Sequence, residues 1–381
     1  MKCFIYTCST LIPFLFFACK SPKNTPHPKQ PTPLTFIDEY VIPSNTFMDS
    51  LAIGGLSGIT YYNGNYHMVS DDPKMPRFFT AAINFSKKGI DTVRFEKVTR
   101  IVDSLSVFDK KTHLDLEDIC IWSPDTLVFT GEGFIKKALD PTIITTSNKG
   151  VIQNQFELPS YFASDPEHKN RPRHNGVFEG LTPSYDHKGI WAATELPLIL
   201  DGEEPTYTKG GTPVRITYFD YSTKKATSQF AYPLDKLSKD PKGAFGVNGV
   251  TAILQLDTAT FWILERAYSK GYGNQGNSVK LYEARTQNTS NTLDISALDG
   301  QKITLASKKL VFDFETIRDQ LTDAIIDNIE GMTFGPILED GSQSVLFVSD
   351  NNFNPSNIQI NQVLLFSCKS ETKIIPHNYP K

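Results

Sequence analysis

The chain has 381 residues, a formal net charge of −4 at pH 7, and 39% hydrophobic and 12% aromatic residues. That is ample apolar material for a core, and the near-balanced charge without any Lys/Arg-rich run excludes a nucleic-acid-binding footprint. With 24 Gly, 24 Pro, 26 Phe and 15 Tyr, the composition favours many turns between aromatic strands, hence an all-β chain.

At the start, Lys2 precedes a largely apolar stretch over residues 4–18. It is too short to span a bilayer and reads as an export signal, residues 1–18. Ala18-Cys19 resembles a bacterial lipobox, which makes Cys19 the lipidated first residue of the mature chain; an ordinary signal peptide cleaved nearby is the alternative. Residues 20–33, KSPKNTPHPKQPTP, have almost nothing to bury and read as a tether. The expectation is an exported monomer, lipid-anchored to a bacterial membrane on its periplasmic or cell-surface side. Its folded domain runs over 34–370 and a tail over 371–381.

One unit recurs along that domain. It opens with a small or acidic residue, often followed by Gly, an aliphatic residue and Thr, as in Phe178-Glu179-Gly180-Leu181-Thr182. It closes with a hydrophobic strand ending at or near a carboxylate. The copies pair 55–60 with 68–72, 116–120 with 128–132, 178–182 with 191–195, 247–251 with 262–266, and 329–333 with 347–351. Two further strand-like runs follow each of the first four copies: 78–85 and 93–102, 142–147 and 151–158, 214–221 and 227–233, 279–284 and 308–314. Four strands per unit is a propeller blade. The fifth unit retains only 362–367, and the strand at 34–41 completes it and closes the ring. The count is five four-stranded blades, with room for an irregular sixth in 266–328. Cys120 and Cys368 then fall in blades that are not neighbours, so no disulfide is expected.

In an antiparallel pair the start of one strand lies beside the end of the next, so both acids of a unit share one end of the blade. Five blades bring Asp71, Asp72, Glu117, Asp118, Glu132, Glu179, Glu195, Glu265, Glu330 and Asp350 to one mouth of the channel. Oxygen ligands without Cys suit Ca²⁺, or Mg²⁺ in its place, and Asn248, Asn351 and Asn352 add neutral oxygens. The alternative is a turn device in which each acid accepts backbone N–H groups that tie neighbouring blades. Arg266, Arg171, Arg173, His174, Lys270 and Lys280 lie close by in sequence, which suits a small anionic substrate. The glycine-rich loop 271–276 lacks the Gly-Lys-Ser/Thr of a P-loop, and no Gly-x-Ser-x-Gly elbow is present.

The ordered set resembles the phytase-like family of bacterial exported proteins, labelled for an esterase-like activity of phytase. Its matching stretches are Asn175-Gly176-Val177-Phe178-Glu179-Gly180-Leu181-Thr182, Ala193-Thr194-Glu195-Leu196-Pro197-Leu198, Tyr232-Pro233-Leu234-Asp235, Leu264-Glu265-Arg266, Ile329-Glu330-Gly331-Met332 and Val348-Ser349-Asp350-Asn351-Asn352-Phe353. Asn248 stands where most other copies of the repeat have an acid. The resemblance implies Ca²⁺-dependent hydrolysis of phosphate esters outside the cytoplasm. Glu179, Glu195, Arg266 and His174 are the candidate catalytic residues, and Arg173, Arg266, Lys270 and Asn248 the candidate substrate contacts. Two alternatives stand beside it: a metal-propeller esterase or lactonase, and a non-catalytic propeller that displays a binding face on a membrane anchor.

Overall fold

In the computed structural model, the described residues are Met1, 34–108, 112–354 and 359–369. The signal, Cys19, the tether and the C-terminal tail lie outside them, Met1 excepted.

The chain opens with β1 (Leu34–Ile42) and a two-stranded hairpin, β2 (Phe47–Met48) and β3 (Leu51–Ala52). Blade 1 is β4 (Leu56–Tyr62), β5 (Asn65–Ser70), β6 (Arg77–Ser86) and β7 (Gly89–Arg100). Blade 2 is β8 (Leu116–Ser123), β9 (Thr126–Gly131), β10 (Thr142–Ser147) and β11 (Ile152–Gln155). Blade 3 is β12 (Phe178–Pro183), β13 (Gly189–Thr194), β14 (Pro213–Asp220) and β15 (Lys225–Pro233). Blade 4 is β16 (Gly246–Asp257), β17 (Thr260–Ser269), β18 (Asn277–Arg285) and β19 (Ser307–Asp313). Blade 5 is β20 (Asn328–Ile337), β21 (Gln343–Asp350) and β22 (Asn361–Cys368), completed by β1, which pairs antiparallel with β22 from Leu34 opposite Cys368 to Ile42 opposite Asn361. The protein is an all-β, five-bladed propeller closed by its N-terminal strand. The 266–328 stretch adds no sixth blade. Its residues 286–306 leave blade 4 as an excursion along blade 3, where Thr292 and Ala306 donate to the carbonyls of Gln229 and Ala231, each at 2.9 Å.

The innermost strands β4, β8, β12, β16 and β20 each touch the next around the ring. Apolar side chains from adjacent blades fill the wedges between them; Trp262, Leu264 and Leu281 of blade 4, for instance, pack against Met332, Phe347 and Phe366 of blade 5. Burial of this area is the main stabilising term. Residues 286–306 are held by a fully buried ion pair. Arg215 donates to both Asp201 oxygens at 2.6 and 2.8 Å and to the carbonyl of Ile295 at 2.9 Å.

Every innermost strand carries an irregularity against its neighbour at one equivalent place: Leu56/Gly58, Leu116/Ile119, Phe178/Leu181, Val250/Ala252 and Ile329/Gly331. A bulge leaves one residue out of the ladder and re-aims its side chain. Those residues are Ser57, Glu117, Glu179, Thr251 and Glu330. The following residue meets the adjacent blade at close range, which explains the recurring glycine. A Cβ on Gly58 would stand 2.4 Å from an Asp118 oxygen, and one on Gly180 would stand 3.0 Å from the Ile253 nitrogen.

This register corrects the repeat in blade 4. The sequence pattern aligns Val247-Asn248-Gly249-Val250-Thr251 with the other copies, but Val250 opposite Glu265 is the counterpart of Leu56 opposite Ser70. The true copy therefore begins at Val250 and puts Thr251, not Asn248, in the bulge position. At the end of the second strand, the place held by Asp71, Glu132, Glu195 and Asp350 belongs to Arg266, not Glu265.

Candidate functional site

The mouth is thus built from two rings. The bulges contribute Ser57, Glu117, Glu179, Thr251 and Glu330, and the ends of the second strands contribute Asp71, Glu132, Glu195, Arg266 and Asp350. Around blades 1 to 3 the carboxylates crowd together. One oxygen from each of Asp71, Asp115 and Glu117 lies within 4.8 Å of the others, and the same holds for Glu117, Glu132 and Glu179. Glu117 belongs to both triads. Oxygens that each stand about 2.4 Å from one calcium ion are at most about 4.8 Å apart, so the spacing and the all-oxygen donor set fit such a cation.

Burial first, and then mutual repulsion, hold Asp71, Glu117, Glu132 and Glu179 above the usual carboxylate range. Glu117 is raised by burial and by Asp71 and Glu179, and Glu179 by burial and by Glu195 and Glu132. Asp71 is raised by burial and by Asp350 and Asp115. Glu132 is pushed up to about 8 by burial and Glu195, although its Oε1 accepts the Val177 N–H at 2.7 Å.

Blades 3 to 5 solve the same crowding differently. Arg266 Nη2 donates to Glu330 Oε1 at 2.9 Å and lies 3.3 Å from Glu195 Oε1. Burial alone would lower the Arg266 pKa, but Glu195, Glu330 and Glu179 together raise it. Glu330 also accepts from Asn328 Nδ2 at 2.8 Å; burial still lifts it to about 7 against the pull of Arg266. Glu195 is raised by burial and restrained by Arg266, and Gly249 leaves room for its side chain: a Cβ there would sit 2.3 Å from Glu195 Cγ. Asp350, raised by burial and Glu330, accepts the Asn352 N–H at 2.6 Å.

Other residues singled out in the sequence lie elsewhere. Asp72 pairs with buried Arg77 at 2.6 Å. Asp118 points between blades, accepting the N–H groups of Ile119 and Leu181, both at 2.7 Å. Glu265 faces away from the ring. It accepts from Tyr232 Oη at 2.7 Å, Asn248 Nδ2 at 2.8 Å, the Asp235 N–H at 3.0 Å and Lys308 Nζ at 2.5 Å. Asn248 belongs to that second cluster, and Lys280 stands 4.0 Å from Asp313. Asn351 accepts the Gly55 N–H at 3.0 Å, tying blade 5 to the entry of blade 1. Arg171 donates to the carbonyls of Pro166 and His168 at 3.1 and 3.2 Å. Arg173 donates to the Gly202 carbonyl at 2.8 Å and lies 3.6 Å from Glu204. Lys270 is exposed, with its backbone tied to Lys242 and Phe245. His174 stacks on Phe134 with ring centroids 4.9 Å apart, and burial and Lys136 lower its pKa.

The sequence reading missed Asp115 and, beside it, His113, whose Nε2 stands 3.7 Å from Asp115 Oδ2. A His-x-Asp two residues ahead of the Glu117 motif was the available signal.

No curated protein matches this sequence. Among solved structures, similar ones include an α-L-arabinanase of Cellvibrio cellulosa complexed with arabinohexaose (10% identity, 83% of this chain and 92% of that one, TM-score 0.41). An endo-1,4-β-xylanase of Bacteroides thetaiotaomicron is 9% identical over 83% of this chain and 95% of that one, with a TM-score of 0.42. The catalytic domain of a GH62 α-L-arabinofuranosidase of Coprinopsis cinerea is 8% identical over 89% and 98%, with a TM-score of 0.41. The phytase-like family model, described as esterase-like activity of phytase, matches residues 51–353, and the chain belongs to that family.

Proposed function

We propose that the protein is a metal-dependent hydrolase of phosphate esters, exported and held at a membrane through Cys19, with a small anionic substrate at the mouth of the propeller. The observation that carries this reading is the pair of carboxylate triads that meet at Glu117. One of the two triads, Asp71, Asp115 and Glu117 or Glu117, Glu132 and Glu179, would hold the cation, Ca²⁺ or Mg²⁺. When bound, it would supply Lewis acidity toward a phosphoryl oxygen and make water a better nucleophile near neutral pH. The chain's own groups do the rest. The bulges fix the direction of Glu117 and Glu179, and the Val177 N–H orients Glu132. Arg266 keeps Glu195 and Glu330 together beside Glu179, which limits the acidity of the cluster to the side facing blades 1 and 2. Crowded, buried carboxylates without a counter-ion retain protons, so loading with a cation releases protons and strengthens as pH rises.

The test is calorimetric titration of Ca²⁺ into the full chain alongside a panel of phosphoesters, carboxylic esters and lactones. Ca²⁺ binding that switches on phosphate release, abolished by EDTA and lowered about a hundredfold by Glu179→Gln, supports the reading. Phosphoester hydrolysis indifferent to EDTA would sink it, and turnover confined to carboxylic esters or lactones would move the substrate class.

A further inference from the structure

The positive groups around the mouth are unequally committed. Arg266 is bound to Glu195 and Glu330, and Arg173 to the Gly202 carbonyl and Glu204. What borders the acid-only side is a lip built by the turn that follows Glu132. Gly133 has φ +69°, and a Cβ there would meet the Asp140 carbonyl oxygen at 2.4 Å, so the chain can reverse here only with glycine. Phe134 and Leu139 then exchange backbone hydrogen bonds at 2.9 and 3.2 Å, which fixes the turn.

Phe134 is the centre of the lip. The His174 ring stacks on it, the His113 ring packs against it with centroids 5.3 Å apart, and the Lys137 ammonium lies 4.4 Å from its centroid. Lys136 is exposed and makes no ion pair among the described residues. His113 reaches Asp115, a member of the first carboxylate triad. Lys136 stands two residues after Phe134, in the short 3-10 turn Ile135–Lys137 of the same lip.

Three carboxylates around one divalent cation leave a net negative site, and an approaching phosphate needs donors for the oxygens that do not face the cation. Imidazole N–H groups packed on Phe134 and an ammonium on the turn that carries it supply them with little further loss of freedom.

We propose that His113, His174 and Lys136 form the anion-holding lip of the site, binding the non-bridging oxygens of a phosphate group seated against the carboxylate triads. This inference rests on the cation reading of those triads. It transfers to the lip the role that the sequence suggested for Arg266 and Arg173.

The experiment titrates phenylphosphonate, a non-hydrolysable phosphate probe, into the Ca²⁺-loaded full chain. Wild type is compared with Lys136→Ala, His174→Ala and a His113→Ala/His174→Ala double variant, and Ca²⁺ affinity is measured for each. The expected result is a loss of about tenfold in phosphonate affinity for each single variant and more for the double variant, with Ca²⁺ affinity unchanged in Lys136→Ala and His174→Ala. Lys136 is on the surface, so its variant remains informative where a histidine variant fails to fold. Unchanged phosphonate affinity in Lys136→Ala, or no phosphonate binding to Ca²⁺-loaded wild type, overturns the lip. Failure of wild type to bind Ca²⁺ overturns the cation reading instead. Phosphonate is then titrated into the metal-free chain, where binding lost in Lys136→Ala keeps the lip and absence of binding removes it.

Discussion

The two sides of the propeller mouth hold the same kind of residue at the same structural positions and neutralise it in opposite ways. On the side of blades 1 to 3, Asp71, Asp115, Glu117, Glu132 and Glu179 crowd together in two triads, and among the described residues no Lys or Arg forms an ion pair with them. On the side of blades 3 to 5, the ring position that holds an acid in every other blade is Arg266, which grips Glu195 and Glu330. The repeat has therefore diverged in charge while keeping its backbone. One half carries an internal counter-ion and is complete in itself. The other carries repulsion that protons or an external cation would relieve.

The sharpest way to break this contrast is to remove the internal counter-ion. Arg266→Met should cost about 3–5 kcal/mol, because Glu195 and Glu330 are left buried without a counter-charge. The loss should be larger at pH 8 than at pH 6, where both acids retain more of their protons. Denaturant unfolding at the two pH values measures it, and an unchanged midpoint would mean the arginine is not bracing the ring.

Next in size is the response of the acid-only half to an external ion. Glu132, at about 8, holds a proton in the native state that the unfolded chain, near 4.5, has released. The sign is that of a raised acid. This contribution is fully present below about pH 4.5 and fades as pH rises through about 8. Metal-free protein should therefore melt lower at pH 8.5 than at pH 6. Saturating Ca²⁺ should recover about 3 kcal/mol at pH 8.5 when present at a hundred times its dissociation constant, and much less at pH 6. Melting curves with EDTA and with Ca²⁺ at both pH values check the ordering.

Paired substitutions separate the halves at smaller scale. Glu117→Gln removes a repelling charge, so the metal-free protein should be as stable as wild type or more so at pH 8, with at least about tenfold weaker Ca²⁺ binding. Glu330→Gln deprives Arg266 of a partner and should cost about 1–3 kcal/mol under the same conditions. Equal effects of the two on stability would erase the distinction. The smallest expected effect is Asp118→Asn, about 1 kcal/mol through its hydrogen bond to the Leu181 N–H, with Ca²⁺ affinity unchanged.

Much of this was legible in the sequence, and the misreadings have definite causes. The five-blade count and the closing strand follow from hydrophobic runs and a recurring motif whose glycine answers a close approach between blades. The convergence of Glu117, Glu132, Glu179, Glu195, Glu330, Asp71 and Asp350 follows from strand polarity alone. Blade 4 misled because Val-Asn-Gly-Val-Thr imitates the repeat while the true copy, starting at Val250, has lost its acid and its glycine. Since side chains alternate along a strand, choosing Glu265 over Arg266 exchanged the inside of the ring for the outside. Asp72 and Asp118 were assigned to the mouth because their neighbours belong there; the Leu181 N–H that claims Asp118 is distant and featureless in sequence, and Arg77, five residues from Asp72, was the signal overlooked. Asp115 and His113 precede the strand and carry no periodic signal.

The pairing of β1 with β22 also sets the order in which the molecule can be made. The first strand of the domain has no ladder to join until the last one is in place, more than 300 residues later. The ring therefore closes as the final long-range event, at the largest loop-entropy cost in the chain. Until then blade 5 has an open edge, and the triads have no closed ring to hold them in register. Closure of the ring depends on both ends of the domain, so a chain cut short at either end should lose the pairing that seals blade 5.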